Sequence, residues 1–373
     1  MNPLQTIKQE WSLFVGGGTS AAFLVFGQRW LEDLSHQGWF ALMFAWLFTV
    51  IMLSAFAVVR HAESLATKLG EPGGTLVLTL AVTGIEVMMI SAVMLTGKGN
   101  ASLARDAMFA VVMIALNGMV GFSLLLGGLR YHEQTYNLQG ANAFLAVIIP
   151  LAVLGLVLPN FTVSSPGPTF SPRQSAFLII MSIGLYGVFL AMQISRHRNY
   201  FVAPVSTEPM EAPYWKCSSG DQDRSVAHLV LLLVAHLLPV IILAGQIARP
   251  ITHAIHELHA PPALGGVLVS VLVLSPESMS AVRAAMGNQL QRSVNLLLGS
   301  VLASISLTIP AVLTIGFVMD QTVILGLDAV GMTLLLLTLG LSLLTFASAR
   351  TNVLLGAVHL LLFLAYVMLI FER

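Results

Sequence analysis

Hydrophobic residues run in long, unbroken stretches near 11–27, 39–59, 74–95, 107–129, 141–160, 174–195, 227–247, 264–282, 293–317, 322–346 and 352–371. Each is close to the roughly 20 residues a helix needs to cross a bilayer. None alternates apolar with polar as a barrel strand would, and backbone groups in lipid must be bonded within their own segment. The pattern predicts an all-α integral membrane protein with about eleven transmembrane helices. The longest polar interruption, RHRNYFVAPVSTEPMEAPYWKCSSGDQDRSV at 196–226, reads as a linker between halves. The predicted organisation is an extra N-terminal helix (1–38), a first transmembrane repeat (39–198), a polar linker (199–226) and a second repeat (227–373).

Composition agrees with the pattern. Hydrophobic residues make up 57% of the chain and charged residues only 9%, against about 25% charged in soluble domains. The formal net charge of +0 argues against nucleic acid as a partner. The single cysteine, Cys217, has no mate within the chain, and the start MNPLQTIKQEW lacks the features of a cleaved signal peptide. With the N-terminus cytoplasmic, roughly eleven of the 17 Lys and Arg residues fall in loops on that side. The positive-inside rule then places the N-terminus in the cytoplasm and the C-terminus outside, as in a multi-pass protein of a bacterial inner membrane.

Two stretches, one in each half, resemble one another: LGEPGGTLVLTLAVTGIEVMMISAV at 69–93 and PPALGGVLVSVLVLSPESMSAVRAA at 261–285. Each opens on Gly-Gly and carries a glutamate about twelve residues on, Glu86 after Gly74 and Glu277 after Gly265. At 1.5 Å per residue both acids lie roughly 18 Å along their helices, near the bilayer midplane. An apolar helix beginning with an arginine, Arg105 or Arg292, follows each. Five helices per half after an extra first helix make the halves opposite in orientation, which is the inverted-repeat plan of secondary transporters.

A charge inside the membrane costs at least about 2.5–3.5 kcal/mol and is a functional hypothesis by default. One buried acid is easily structural; two at matched depth in matched segments are harder to explain that way. Facing carboxylates suit a hard, oxygen-preferring divalent cation. Without the metal, their mutual repulsion in a low dielectric favours taking up protons instead. Competition for one pair of acids is a sufficient mechanism for antiport. The expectation is that the two carboxylates lie about 5–10 Å apart, the span that one ion and a water can bridge. Pro276 beside Glu277 frees a backbone carbonyl close by.

These segments, together with GGLRYHEQTYN (127–137), Gly299-Ser300 and ARTNVLLGAVHLLLFLAY (349–366), resemble the cation exchanger branch of the calcium/cation antiporter superfamily, most closely bacterial sodium/calcium:proton antiporters of the ChaA type. The resemblance covers about residues 38–371. It implies two inverted five-helix repeats and exchange of Ca2+, or Na+ or K+, for H+, with Glu86 and Glu277 binding cation and proton in turn. It implies no enzyme activity and no cofactor. The sequence departs from the family where many members place asparagine three residues before each acid, since Thr83 and Leu274 stand there. A family glutamine falls at Ala303, and a first-repeat asparagine at Ala115. Carbonyls, waters, Thr83, Ser275, Ser300, Asn117 or Asn295 would complete the ion shell.

Other polar groups carry less. His253, His256 and His259 in THAIHELH have a spacing open to metal but read better as a helix edge. His236 and His359 fall inside predicted helices, where a satisfied core histidine competes with a proton relay. Arg105 and Arg292 read as helix-end groups. A cation channel or uniporter would also use paired acids without proton coupling. An intramembrane hydrolase would need a motif such as HExxH, which is absent.

Overall fold

The computed structural model describes residues 10–69, 73–96, 101–203, 224–257 and 260–372. Its helices are α1 (Trp11–Trp30), α2 (Gln37–Leu69), α3 (Gly73–Thr96), α4 (Leu103–Tyr131), α5 (Leu138–Leu156), α6 (Pro172–Arg196), α7 (Val226–His256), α8 (Ala263–Met286), α9 (Leu290–Val318), α10 (Ala329–Thr345) and α11 (Val353–Phe371). Every predicted apolar run contains one of them. Eight of these helices are long and apolar enough to cross a membrane, counted among the described residues.

Helix ends follow local chemistry. Asn137, Ser171, Ser225, Asp328 and Asn352 cap α5, α6, α7, α10 and α11 by accepting a backbone N–H, and Gln174 completes a capping box with Ser171. One predicted boundary is corrected here. The run at 322–346 was expected to be helical throughout, but helix begins only at Ala329, behind the Asp328 cap. The apolar residues ahead of it form an extended segment, with Leu325 and Leu327 buried. Ile324, Gly326 and Leu327 donate their N–H groups to Ala101, Pro168 and Leu156 carbonyls. Tertiary partners satisfy this backbone, so burial did not require a helix.

The interior is formed by α3, α4, α8 and α9, which pack on one another. From Leu103 to Gly118 nearly every residue of α4 is buried, while α6, α7 and α11 keep large apolar side chains such as Ile180, Leu231, Leu238, Leu361 and Leu364 exposed on their outer faces. This is the arrangement a bilayer demands of an outer ring. α2 runs along α7, and α1 packs against both.

Small residues set the closest approaches. A Cβ on Gly266 of α8 would lie 2.5 Å from the Ala107 nitrogen of α4, so only glycine permits that contact, and Ser270 one turn on donates to the Ala107 carbonyl at 2.9 Å. A Cβ on Gly356 of α11 would lie 2.6 Å from the Leu125 nitrogen of α4. Below that contact, Gln134–Thr135 and Arg350–Thr351 form a two-residue antiparallel ladder, β1 with β2, in the register Gln134↔Thr351. The two distant motifs 127–137 and 349–366 thereby meet.

Two helices are interrupted at similar positions by a π turn, α4 at Met113–Met119 and α9 at Ser304–Thr308. In α9 the cause is visible. Pro310 has no N–H to give, and the wider turn just ahead of it absorbs the lost bond. Such widened turns are frequent at functional sites.

Candidate functional site

Glu86 on α3 and Glu277 on α8 are each 1% exposed, deep in the inner bundle. Glu86 faces the π turn of α9 from the other half of the chain. Ser304 Oγ donates to Glu86 Oε2, and Thr308 Oγ1 donates to Oε1 at 3.3 Å. On α3 itself, Thr79 and Thr83 precede Glu86 at helical spacing, both buried, which makes a polar stripe on one face. The Thr83 hydroxyl has no hydrogen-bond partner among the described residues. A crevice lined by Thr79, Phe144, Gln193, Asn295 and Gly299 reaches the lower end of this stripe.

Glu277 is different. Neither carboxylate oxygen has a hydrogen-bond partner among the described residues, although the Ser300 hydroxyl stands beside it and the charges of Glu86 and Glu63 act on it. Pro276, inside α8, cannot donate to the Leu272 carbonyl, which leaves that acceptor free of its usual helical bond. The two carboxylates, the Ser300 hydroxyl and the carbonyl freed by Pro276 are all oxygen donors, the kind that suits Ca2+ and the alkali cations and not the softer metals.

The π turn of α4 does not serve Glu277 as that of α9 serves Glu86. Its one amide, Asn117, is fully buried and committed elsewhere. Asn117 Nδ2 donates to Thr338 Oγ1 at 2.7 Å, and its Oδ1 lies 3.1 Å from His359 Nδ1. His359 Nε2 in turn lies 2.9 Å from Thr345 Oγ1. This network joins α4, α10 and α11, and it occupies His359 as a bonded core histidine.

Residues 39–195 and 228–372 both match the family described as sodium/calcium exchanger protein. The chain belongs to that family. It is 41% identical over 322 residues, 86% of each chain, to the sodium-potassium/proton antiporter ChaA of Escherichia coli strain K12. It is 25% identical over 282 residues, 73% of this chain and 75% of the relative, to the Ca2+/H+ antiporter ChaA of Bacillus subtilis strain 168. The solved structure of native YfkE superposes with a TM-score of 0.72 at 17% identity, covering 97% of this chain and 100% of that one. The fold is therefore that of a multi-pass membrane exchanger.

Within this exchanger fold the other predicted site residues divide. Thr83 and Ser300 stand by the two acids. Ser275 gives its hydroxyl to the Val271 carbonyl of its own helix at 2.5 Å. Asn295 donates to the Phe201 carbonyl at 2.7 Å and accepts from Gln291 at 2.8 Å, so its amide is held at the end of α9. Arg105 bonds Asp106 at 2.8 Å and the Gly326 carbonyl at 3.1 Å, away from the acids. The His253 ring lies 5.2 Å from that of Phe40; the side chain of His256, together with His259 and most of the linker with Cys217, lies outside what is described.

Two groups were missed in the sequence. Ser304 and Thr308 continue at four-residue spacing from the predicted Ser300 in an otherwise apolar helix, a stripe that helical periodicity makes visible. Glu63 lies just past the predicted end of α2, which in the structure continues to Leu69. Ser280, one turn after Glu277, donates to Glu63 Oε1 at 2.6 Å.

Proposed function

We propose that the chain is a cation/proton antiporter in which Glu86 and Glu277 bind the cation and the protons in turn. The observation that carries this reading is the buried, unpartnered carboxylate of Glu277 on α8, a helix that packs against the one carrying Glu86. A carboxylate shut away from water without a donor is tolerated only with a proton on it or a cation against it. Such a site exchanges one for the other.

Ca2+ is the cargo that two carboxylates and neutral oxygens fit best; Na+ and K+ compete for the same oxygens. Support for monovalent cargo comes from the 41% identical relative from E. coli, described as a sodium-potassium/proton antiporter. Support for Ca2+ comes from the 25% identical B. subtilis relative, described as a Ca2+/H+ antiporter. Thr83 and Ser300 complete the shell together with the Leu272 carbonyl. Glu63, held on Ser280 a turn from Glu277, is an acid through which ions pass between the site and the cytoplasmic end of α2.

The two segments that match the family separately, 39–195 and 228–372, support the reading of residues 39–198 and 227–373 as inverted repeats. So do the matched π turns and the reciprocal packing of α3 on α9 and α8 on α4. α1 is then an addition ahead of the repeats, with the N-terminus in the cytoplasm, the C-terminus outside, and the protein in a bacterial inner membrane.

The test is proton movement in proteoliposomes holding the purified protein, driven by gradients of Ca2+, Na+, K+ and Mg2+ in turn. Proton counterflow with Ca2+ is expected, and with Na+ or K+ as well. Cation flux without proton movement would make the protein a channel or uniporter.

A further inference from the structure

A second cluster of metal-binding side chains lies where α1 meets α2 and α7, built from residues the exchange site does not use. Glu10, just ahead of α1, is 4% exposed, and His61 on α2 and His236 on α7 are fully buried. Glu10 Oε2 lies 3.1 Å from His61 Nε2 and 3.6 Å from His236 Nε2, and the three ligand atoms all lie within 4.8 Å of one another. Tetrahedral Zn2+, with ligands at about 2.0–2.2 Å, holds its donor atoms a little over 3 Å apart.

Hydrogen bonding fixes how these atoms present themselves. His236 Nδ1 lies 2.9 Å from the Leu232 carbonyl, which can only accept, so Nδ1 carries the hydrogen and Nε2 turns its lone pair toward Glu10. This is how metal-bound histidines are commonly held. Ser12 Oγ, 3.2 Å from the same nitrogen, supplies one hydrogen there. Arg60 Nη2 sits 2.8 Å from Glu10 Oε2 and 3.2 Å from His61 Nε2. His61 Nε2 also lies 3.1 Å from Glu10 Oε2, a carboxylate oxygen that only accepts, so in the metal-free cluster this nitrogen donates its hydrogen to Glu10 and gives it up when a metal ion binds. The lone pairs of Glu10 Oε2 and His236 Nε2 converge there with the His61 nitrogen, and the Arg60 guanidinium occupies the space between Glu10 and His61.

The two arginines have different places. Arg224, 3% exposed, holds Glu10 Oε1 at 2.7 Å and leaves Oε2 for another partner. Arg60 keeps 39% of its side chain exposed and can withdraw toward solvent. Two nitrogens and one carboxylate select a borderline divalent ion, in contrast to the all-oxygen surroundings of Glu86 and Glu277.

We propose that Glu10, His61 and His236 bind a divalent ion of the zinc class in place of the Arg60 guanidinium, fastening α1 to α2 and α7. Glu10 lies outside the segments that match the exchanger family, so the site is an addition to the exchange machinery, suited to a controlling ion. Arg224 and the displaced Arg60 weaken the hold, as a reversible site requires.

The test uses the full chain carrying Glu277→Gln, which removes the transport site as a competing ligand, with Zn2+ followed by calorimetry and Co2+ by visible absorption. One equivalent of Zn2+ is expected, with the intense Co2+ bands of tetrahedral coordination, unaffected by excess Ca2+. His61→Ala and His236→Ala should each abolish the bands. Arg60→Ala should tighten Zn2+ about ten-fold, because it removes a competing cation worth about 1.4 kcal/mol. A structural role alone predicts no tightening, and this readout stands even if the histidine variants do not fold. Absence of the Co2+ bands, their survival in folded His236→Ala, or Arg60→Ala leaving Zn2+ affinity unchanged or weaker would each overturn the proposal.

Discussion

Three buried carboxylates in this protein form a series. Glu10 is surrounded by donors, with Arg60, Arg224 and His61 all within 3.1 Å of its oxygens. Glu86 has two hydroxyls, and Glu277 has no hydrogen-bond partner among the described residues. All three are almost completely removed from solvent, so burial does not separate them; partners do. An acid whose charge is already answered by protein donors, as Arg224 answers Glu10, is an anchor. One whose surroundings leave its charge unanswered is ready to exchange what answers it.

The sharpest break in this series comes from neutral isosteres. Glu277→Gln and Glu86→Gln should each reduce cation/proton exchange in everted vesicles to background while the protein remains inserted and folded. Glu10→Gln should behave in the opposite way. It strands buried Arg224 and should lower stability by roughly 3–5 kcal/mol, seen as an earlier thermal transition in detergent, with exchange retained in the molecules that stay folded. Exchange lost in Glu10→Gln at full stability would erase the distinction between anchor and site.

Competition gives the next test. Where protons and cation share Glu86 and Glu277, apparent cation affinity should fall as the medium is acidified, by up to about ten-fold per pH unit for each proton displaced. Titrating uptake against pH at several cation concentrations measures this, and a flat profile would show that the two ligands do not share the acids.

Within the pair, Ser304→Ala with Thr308→Ala removes the two donors that help Glu86 carry charge. Cation affinity should drop about ten-fold. Ser300→Ala, beside the unpartnered acid, should cost less, and the reverse order would remove the asymmetry between the two halves.

The smallest effect concerns Glu10 in acid. Burial opposes its ionisation, but the hydrogen bonds from His61 and Arg224 and the nearby charges outweigh this and hold it at about 2, below the usual 4.5. A depressed carboxylate contributes stability that is fully present above its unfolded value and is lost as the folded group is protonated. Docking of α1 should therefore weaken as pH falls from about 4.5 toward about 2, and not between neutrality and 5. Limited proteolysis at the start of α1 across that range would follow it.

Much of this was legible in the chain. The eleven helices could be read because lipid leaves an apolar run little choice but helix, and the acids because a charge in such a run is costly enough to stand out. The reading failed at 322–328, where protein and not lipid covers the apolar residues and the backbone finds partners in other loops. It offered Asn295 and Ser275 for the ion shell; in the structure their side chains donate to the Phe201 and Val271 carbonyls. Ser304 and Thr308 meet Glu86 across a separation of more than two hundred residues, and nothing local announces that meeting. The donor-rich setting of Glu10 likewise draws on three segments far apart in the chain.

The short ladder between Gln134–Thr135 and Arg350–Thr351 has a mechanical consequence. It stitches the end of α4 to the start of α11, just where Gly356 lets the two helices touch, and Tyr136 adds its hydroxyl to the Ser348 carbonyl. Welded at that corner, α4 and α11 travel as one strut. In the proposed exchange cycle the moving elements would slide past this strut, and a covalent staple across the ladder is expected to leave turnover running.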